Sequence, residues 1–336
     1  MRLHVLFPTY KPVGGVVKLF DYIGHARSIG YDVSVWCPEA ADPALPIFQR
    51  SAFAGLLDDA GTRFHSQPRV RLSEADLQLV SLPVNFYVAY RRLDPWMSPE
   101  RIIHIIQNVR HVNPAWHHGI GTRVLTWPAA RISINSIVAD AIHPWLDRRA
   151  FHRVINLGHD VDYFARARTG ALSRPLRVAY TTWKSAVGEL VEQSLAADRE
   201  VEFRAIRDFA TWDELRDLYH WADVFLATPH LEEGMYLPGL EAMAAGCLVV
   251  TPNAGGNMAY CRPDENCLLV GFEAVDQYVE AIRTIRAMSA ADISRLRDGG
   301  YRITEDFSLA RERAEFARYL TDLWDRVSSF ERTTTA

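Results

Sequence analysis

Short apolar runs alternate with amphipathic stretches along the chain. LHVLFPTY is an apolar run that breaks at Pro8. In KPVGGVVKLFDYIGHARSIG, apolar residues take helical spacing at Val17, Phe20 and Ile23, after Gly14 and Gly15. Gly30 stands where a helix C′ glycine belongs. YDVSVWCP then reads as a second strand. Strand, glycine turn, helix and strand make the βαβ unit of a parallel sheet.

The alternation continues. ADLQLVSLP (75–83) and RIIHIIQN (101–108) read as strands. ARISINSIVADAIHPW (130–145) passes from strand to helix, and FHRVINLGHDVDYF (151–164) from strand to turn. Residues 165–175 lack apolar periodicity and hold Gly, Ser, Arg and Pro, which predicts a linker. NFYVAYRRLDPW (85–96) mixes aromatic and basic residues. It fits a core helix with a charged edge, or a seat for an acceptor sugar or lipid phosphate.

A second series follows. PLRVAYTTW, EVEFRAIRDF, DVFLATP, CLVVTPN and CLLVGF read as strands. KSAVGELVEQSLAAD, TWDELRDLYHWA, LPGLEAMAAG and AVDQYVEAIRTIRAM read as helices, and FSLARERAEFARYLTDLWDRV closes the chain as another. Thr211 and Glu214 form a capping box. The predicted fold class is α/β, with an N-terminal domain over 1–165 and a C-terminal domain over 166–306.

Composition narrows the function. A chain of 336 residues suits two domains, and 49% apolar content supplies their cores. The 37 basic against 41 acidic residues argue against a duplex-DNA partner. No apolar run reaches the ~20 residues of a membrane span. MRLHVLFPTYKP is too short for a signal peptide and reads as the first strand. Cys37, Cys247, Cys261 and Cys267 fit neither a zinc site nor a disulfide framework, so reduced thiols in a cytoplasmic protein are expected.

The chemistry centres on EEGMYLPGLEAMAAG (232–246). Parallel α/β sheets bind ligands where strands turn into helices at their carboxyl ends. Glu233 falls in such a turn, Pro238 fits the first helical position, and Glu241 then falls in the first helical turn. Amides at that helix start suit a phosphate. Two carboxylates beside it are better explained as acceptors for sugar or ribose hydroxyls. For Glu241 alone, the helix dipole is an equally good explanation.

EEGMYLPGLEAMAAGCLVV closely resembles the signature of family-four retaining glycosyltransferases of the GT-B fold, roughly E-G-F-G-L-P-x-x-E-A-M-A-x-G-x-P-V-V. Tyr236 replaces its second glycine and Leu248 a proline. GGVVKLFDYIGHARSIGYDVSV, VINLGHDVDYF, TWDELRDLYHWADVFLATP, NAGGNMAYCRPDENCLLV and FSLARERAEFARYL agree with further family segments in the same order. The resemblance is thin between about 40 and 130. It implies two Rossmann-like domains facing across a cleft, with the terminal helix, 307–330, crossing back to the N-terminal domain.

The resemblance also implies roles. Glu233 becomes the sugar-side carboxylate and Glu241 the ribose ligand; the amides of Met235, Tyr236 and Leu237 lie near the sugar and diphosphate. Lys184 matches the family's diphosphate lysine, whereas its arginine has no match among Thr181, Thr182 and Trp183. Arg207 could compensate, but a surface role suits it better. Gly14 and Gly15 fit a turn needing positive φ, and by resemblance approach the donor phosphates and acceptor. Gly255 and Gly256 are assigned only a turn, because Ala259 stands where the family often has a glutamate. Gln107 takes the place of a family histidine near the reacting centre.

His104 reads as a strand histidine, and His111 is the loop alternative to Gln107. His111, His117 and His118 cluster, but no carboxylate completes a metal site, and enzymes of this fold with retention need none. Trp116, Trp127 and Trp183 fit sugar stacking or, more simply, packing. The expected function is a hexosyltransferase-like retaining glycosyltransferase without metal or cofactor, fitting polysaccharide biosynthesis. Its donor is a nucleotide diphosphate sugar, and its acceptor a hydroxyl of a glycan, lipid-linked glycan or natural product. Nucleic acid is not an expected partner, and peripheral membrane contact stays open. A nucleotide-sugar epimerase and a non-catalytic nucleotide-sugar-binding or scaffold protein are the alternatives.

Overall fold

The computed structural model describes residues 1–66, 71–116, 119–168, 170–208 and 210–334. The chain forms two compact units. One comprises Met1–Leu157 and the chain from Leu309; the other is Gly158–Ser308. The division thus falls ahead of the expected 165–175 linker. Arg168 explains the difference. Its guanidinium donates to the carbonyls of Ala245 (3.0 Å), Tyr219 (2.8 Å) and His220 (2.7 Å). The missing periodicity reflects arginine satisfying helix-end carbonyls, not a free tether.

In the first unit, strands β1 (Arg2–Leu6), β2 (Asp32–Trp36), β3 (Thr62–His65), β4 (Asp76–Val80), β5 (Ile102–Ile106), β6 (Ala130–Ser133) and β7 (Phe151–Val154) form one sheet. Their order is β3-β2-β1-β4-β5-β6-β7, every pairing parallel. Helices α1 (Gly14–Ser28), α2 (Ser51–Asp58), α3 (Pro83–Arg91), α4 (Ile120–Leu125) and α5 (Ser136–Ile142) lie in the connections. The strand IIHII is buried throughout, as expected of a parallel strand covered on both faces. Strand β3 and α2 have no counterpart in the sequence reading. TRFH is an edge strand with one large apolar ring, Phe64, packed edge-on to Phe48 at 5.9 Å.

In the second unit, β8 (Leu176–Thr181), β9 (Val201–Ile206), β10 (Val224–Leu226), β11 (Leu248–Pro252) and β12 (Cys267–Val270) run in the order β12-β11-β10-β8-β9, again parallel. The order reverses between β8 and β10. Helices are α6 (Val161–Phe164), α7 (Val187–Ser194), α8 (Trp212–Trp221), α9 (Leu237–Ala244), α10 (Val275–Ala287) and α11 (Ala290–Glu305). Side chains alternate between two cores. Val178, Tyr180, Val224, Leu226 and Val250 join one; Ala179, Phe225, Ala227 and Val249 join the other. The sequence reading missed α11, whose stripe of Ile293 and Leu296 is interrupted by Gly299 and Gly300.

Helix α12 (Leu309–Thr334) belongs to the first unit. Its apolar face is Phe316, Tyr319, Leu320, Leu323 and Val327, all buried at helical spacing. Polar bonds add direction. Glu312 accepts from Lys18 Nζ (2.5 Å) and contacts His25 Nε2 (2.8 Å), while Lys18 also pairs with Asp21 (3.0 Å). Burial alone would raise the Glu312 carboxyl, but Lys18 and His25 hold it below its ordinary range. Arg101 pairs with Glu331 (2.6 Å), Arg326 with Glu100 (2.5 Å), and Trp324 Nε1 donates to Tyr31 OH (2.6 Å).

Among the described residues, no helix is long and apolar enough to cross a membrane. All four cysteines are buried as free thiols.

Candidate functional site

Strands β8 and β10 are neighbours, and the sheet order reverses between them. In open α/β sheets the crevice at that point is the favoured ligand position. Lys184 follows β8 and Glu233 follows β10. Lys184 Nζ lies 3.1 Å from Glu233 Oε1. The Glu233 side chain is 8% exposed and that of Lys184 39%, so the lysine keeps a face toward solvent.

The backbone of Glu233 is pinned at both ends. Its N–H donates to Ala254 O (2.9 Å), and its carbonyl accepts from Gly256 N (2.8 Å). A Cβ at Gly256 would lie 1.9 Å from Gly234 O and 2.6 Å from Glu233 O. The glycine pair therefore does more than the turn first assigned to it. It lets one loop pair flush against the loop that presents Glu233. Asn257, fully buried, braces the same turn: Oδ1 accepts from Ala254 N (3.0 Å), and Nδ2 donates to Pro252 O (2.8 Å).

Helix α9 begins at Leu237, with Tyr236 as N-cap and no capping side chain. Pro238 is therefore the second helical residue, and Glu241 sits beyond the first turn rather than within it. The dipole explanation for Glu241 weakens accordingly. Its carboxylate is buried and engaged at both oxygens: Oε1 is 2.7 Å from His159 Nε2, and Oε2 accepts from Tyr219 OH at 2.9 Å. Neither partner was singled out from sequence. In the N-G-V-D-x-x-x-F pattern, counting back from Phe164 puts His159 at the valine. A histidine replacing an apolar residue was the available signal.

Met235, Tyr236 and Leu237 lead into α9, but the Tyr236 ring turns inward. Its carbonyl accepts from Tyr260 OH (2.6 Å), and burial pushes its phenol up to about 12, with nearby Thr181 and Thr228 pulling the other way. At this position only the backbone is available to a ligand. Arg207 does not join Lys184. It reaches Glu189 (3.3 Å), Glu192 (3.1 Å) and Tyr180 OH (3.1 Å). The surface concavity of about 590 Å³ that it lines also holds Glu189, Glu192, Asp198 and Glu202, four carboxylates to one cation and so a poor seat for a diphosphate.

In the first unit, Gln107 Nε2 donates to Gly15 O (3.2 Å). The glycine pair opens α1 as its first two residues, and neither has positive φ, contrary to the turn expected. Gly15 is instead constrained by Gln107, whose Oε1 would stand 3.1 Å from an added Cβ. His104 accepts from Arg131 (2.8 Å) and stacks on Phe86 (4.9 Å), as a packed strand histidine does. His111 is buried, with Nδ1 3.1 Å from Asn108 O. His117 and His118 lie outside the described residues. In α3, Phe86 is buried while Arg91, and Arg92 just past the helix, are exposed, the core helix with a charged edge. Trp127 packs on Tyr90 (4.9 Å), Trp116 lies under Arg110 (4.7 Å), and Trp183 Nε1 donates to Asp208 O (2.7 Å).

Residues 159–287 match the family model of glycosyl transferases group 1. No curated protein sequence matches the chain. Among solved structures, sucrose-phosphate synthase from Thermosynechococcus elongatus superposes with a TM-score of 0.69 at 14% identity, over 97% of this chain and 100% of that one. HepE of Anabaena, in complex with UDP, gives 0.70 at 15% identity, over 96% and 100%. A trehalose-6-phosphate synthase, analysed for glycosyl transfer with retention, gives 0.68 at 13% identity, over 96% and 99%. The second unit thus carries the group 1 glycosyltransferase match, on a chain whose two parallel-sheet units have the GT-B fold.

Proposed function

We propose that this protein is a retaining glycosyltransferase that takes its sugar from a nucleotide diphosphate donor and passes it to an acceptor hydroxyl. The carrying observation is the meeting of Lys184 and Glu233, 3.1 Å apart, at the strand-order reversal of the unit that matches group 1 glycosyltransferases.

Lys184 offsets charge on the leaving diphosphate, aided by the amides of Met235, Tyr236 and Leu237 at the start of α9. Glu233 accepts from sugar hydroxyls and is oriented by Lys184, 3.1 Å away. Glu241 faces the ribose. Gln107, Gly14 and Gly15 serve the sugar and the acceptor. The reaction is a front-face displacement. The bond from the anomeric carbon to the diphosphate oxygen breaks, the acceptor oxygen bonds to that carbon from the same side, and the departing phosphate oxygen takes the acceptor's proton. The reading calls on no metal or cofactor. HepE bound to UDP, and a structural neighbour studied for retention, support the donor class and the stereochemistry. The acceptor is a glycan, lipid-linked glycan or natural product, and the cytoplasm is the proposed site of action.

The test offers UDP-, GDP-, dTDP- and ADP-sugars with a panel of hydroxyl acceptors and measures nucleotide release, product and anomeric configuration. Glu233→Ala should abolish transfer with the fold intact. Unchanged turnover in that variant would remove the central assignment. Release of nucleotide without any acceptor would favour an epimerase. The missing arginine, together with Gln107 in place of a histidine, favours a binding protein as second reading, whose mark is nucleotide affinity without turnover.

A further inference from the structure

We propose that His159 is the positioning residue for Glu241, setting the orientation in which that carboxylate meets the ribose; this rests on the donor reading above. Three observations carry it. His159 is 2% exposed, and its Nε2 stands 2.7 Å from Glu241 Oε1. The imidazole is itself fixed, 5.7 Å from the Phe164 ring at 16° and 5.4 Å from Trp212. Its backbone is fixed too: His159 N donates to Phe307 O (2.7 Å), and residues 159 and 308 are bridged in parallel.

The chemistry follows from the acceptor count. A carboxylate offers about four lone-pair directions. His159 takes one on Oε1 and the Tyr219 hydroxyl one on Oε2. The remaining direction on each oxygen matches a vicinal pair of hydroxyls, such as the 2′ and 3′ hydroxyls of a ribose. Without the imidazole the carboxylate could rotate about its last side-chain torsion, which is broad and soft. It would then present a different edge. His159 lies two residues past the crossing at Leu157–Gly158 and is bridged to the residue just before the crossing at Ser308–Leu309. The ribose carboxylate is thereby referenced to the two points where the chain leaves the second unit.

The test compares UDP, GDP and ADP with their 2′-deoxy forms by calorimetry on the full chain, alongside KM and kcat for the donor. Wild type should prefer the ribo form of its nucleotide by about tenfold or more, the scale of a hydrogen bond to a charged acceptor. His159→Leu should bring that ratio near one and raise donor KM more than it lowers kcat. His159→Gln, which returns an N–H to the Nε2 position, should restore most of the ratio. If His159→Leu does not fold, His159→Asn, whose amide falls short of Glu241, makes the same comparison. A ratio unchanged in the Leu or Asn variant while Glu241→Gln abolishes it would overturn the role of His159 and leave the ribose reading standing. A wild-type ratio of one, or no binding by any nucleotide, would overturn the ribose reading and the proposal with it.

Discussion

Gly256 offers the most direct way to move Glu233 without touching it. In Gly256→Ala the new Cβ would sit 1.9 Å from Gly234 O and 2.2 Å from Gly234 C, both backbone atoms that no side-chain rotation can clear. Reaching even a tight 3.0 Å contact requires the loop to withdraw by about 1.1 Å. The withdrawal runs against the 2.8 Å bond from Gly256 N to Glu233 O and the 2.9 Å bond from Glu233 N to Ala254 O. Losing both costs about 1–3 kcal/mol of stability. A displacement near 1 Å at a reacting group costs about 10²-fold in rate. The expected variant is therefore folded, somewhat less stable, and about a hundredfold slower in kcat. Initial-rate transfer assays paired with thermal unfolding read both effects. A variant with wild-type kcat and wild-type melting temperature would refute the claim that this glycine holds Glu233 in place.

Lys184→Ala should lower kcat by about 10²–10³, the scale of removing one electrostatic stabiliser of a developing anion, and Lys184→Arg should recover part of it; initial rates decide. Lys18→Met leaves two buried carboxylates, Asp21 and Glu312, without their cation and should cost about 3–5 kcal/mol in denaturant unfolding. Stability should also respond to pH through this cluster. The Glu312 carboxyl is lowered from 4.5, so its contribution is present above that value and lost as pH falls through the lower folded value. Lys18 is raised from 10.5, because the carboxylates outweigh burial, so its contribution is present below that value and lost as pH rises past the folded one. Unfolding curves of wild type and Glu312→Gln should converge in acid; parallel curves would contradict the pairing.

The βαβ rhythm, the capping box of Thr211 and Glu214, and the loop–helix motif around Glu233 were legible because each is local in sequence. Their signals are apolar period, cap chemistry and one proline. Lys184 was legible for the same reason, as a charge at a strand-to-helix turn. Edge strand β3 was not, since an edge needs little apolar patterning of its own. The start of α9 was misplaced by one residue, and this moved Glu241 out of the first turn. The partners of Glu241 were hidden for a different reason. His159 and Tyr219 lie 82 and 22 residues away, so only tertiary packing brings them together. The constraint on Gly256 is likewise non-local: what demands a glycine there is the backbone of Gly234.

The first unit is discontinuous, and this changes how the protein can be dissected. The second unit is one unbroken segment, Gly158–Ser308, spliced into the first between Leu157 and Leu309. Its two ends are neighbours, since His159 and Ser308 are bridged, about 5 Å apart as paired strands are. In construction terms it is an insertion, and it can be lifted out with its own cores whole. The first unit cannot be had by truncation at residue 157. That cut would discard α12 and strand Lys18 and Arg101, both 2% exposed, without Glu312 and Glu331. A faithful stand-alone version joins Leu157 to Leu309 through a short turn, or supplies the last helix as a separate peptide. Complementation by that peptide is then a direct gauge of how much of the first unit's stability enters from the far end of the chain.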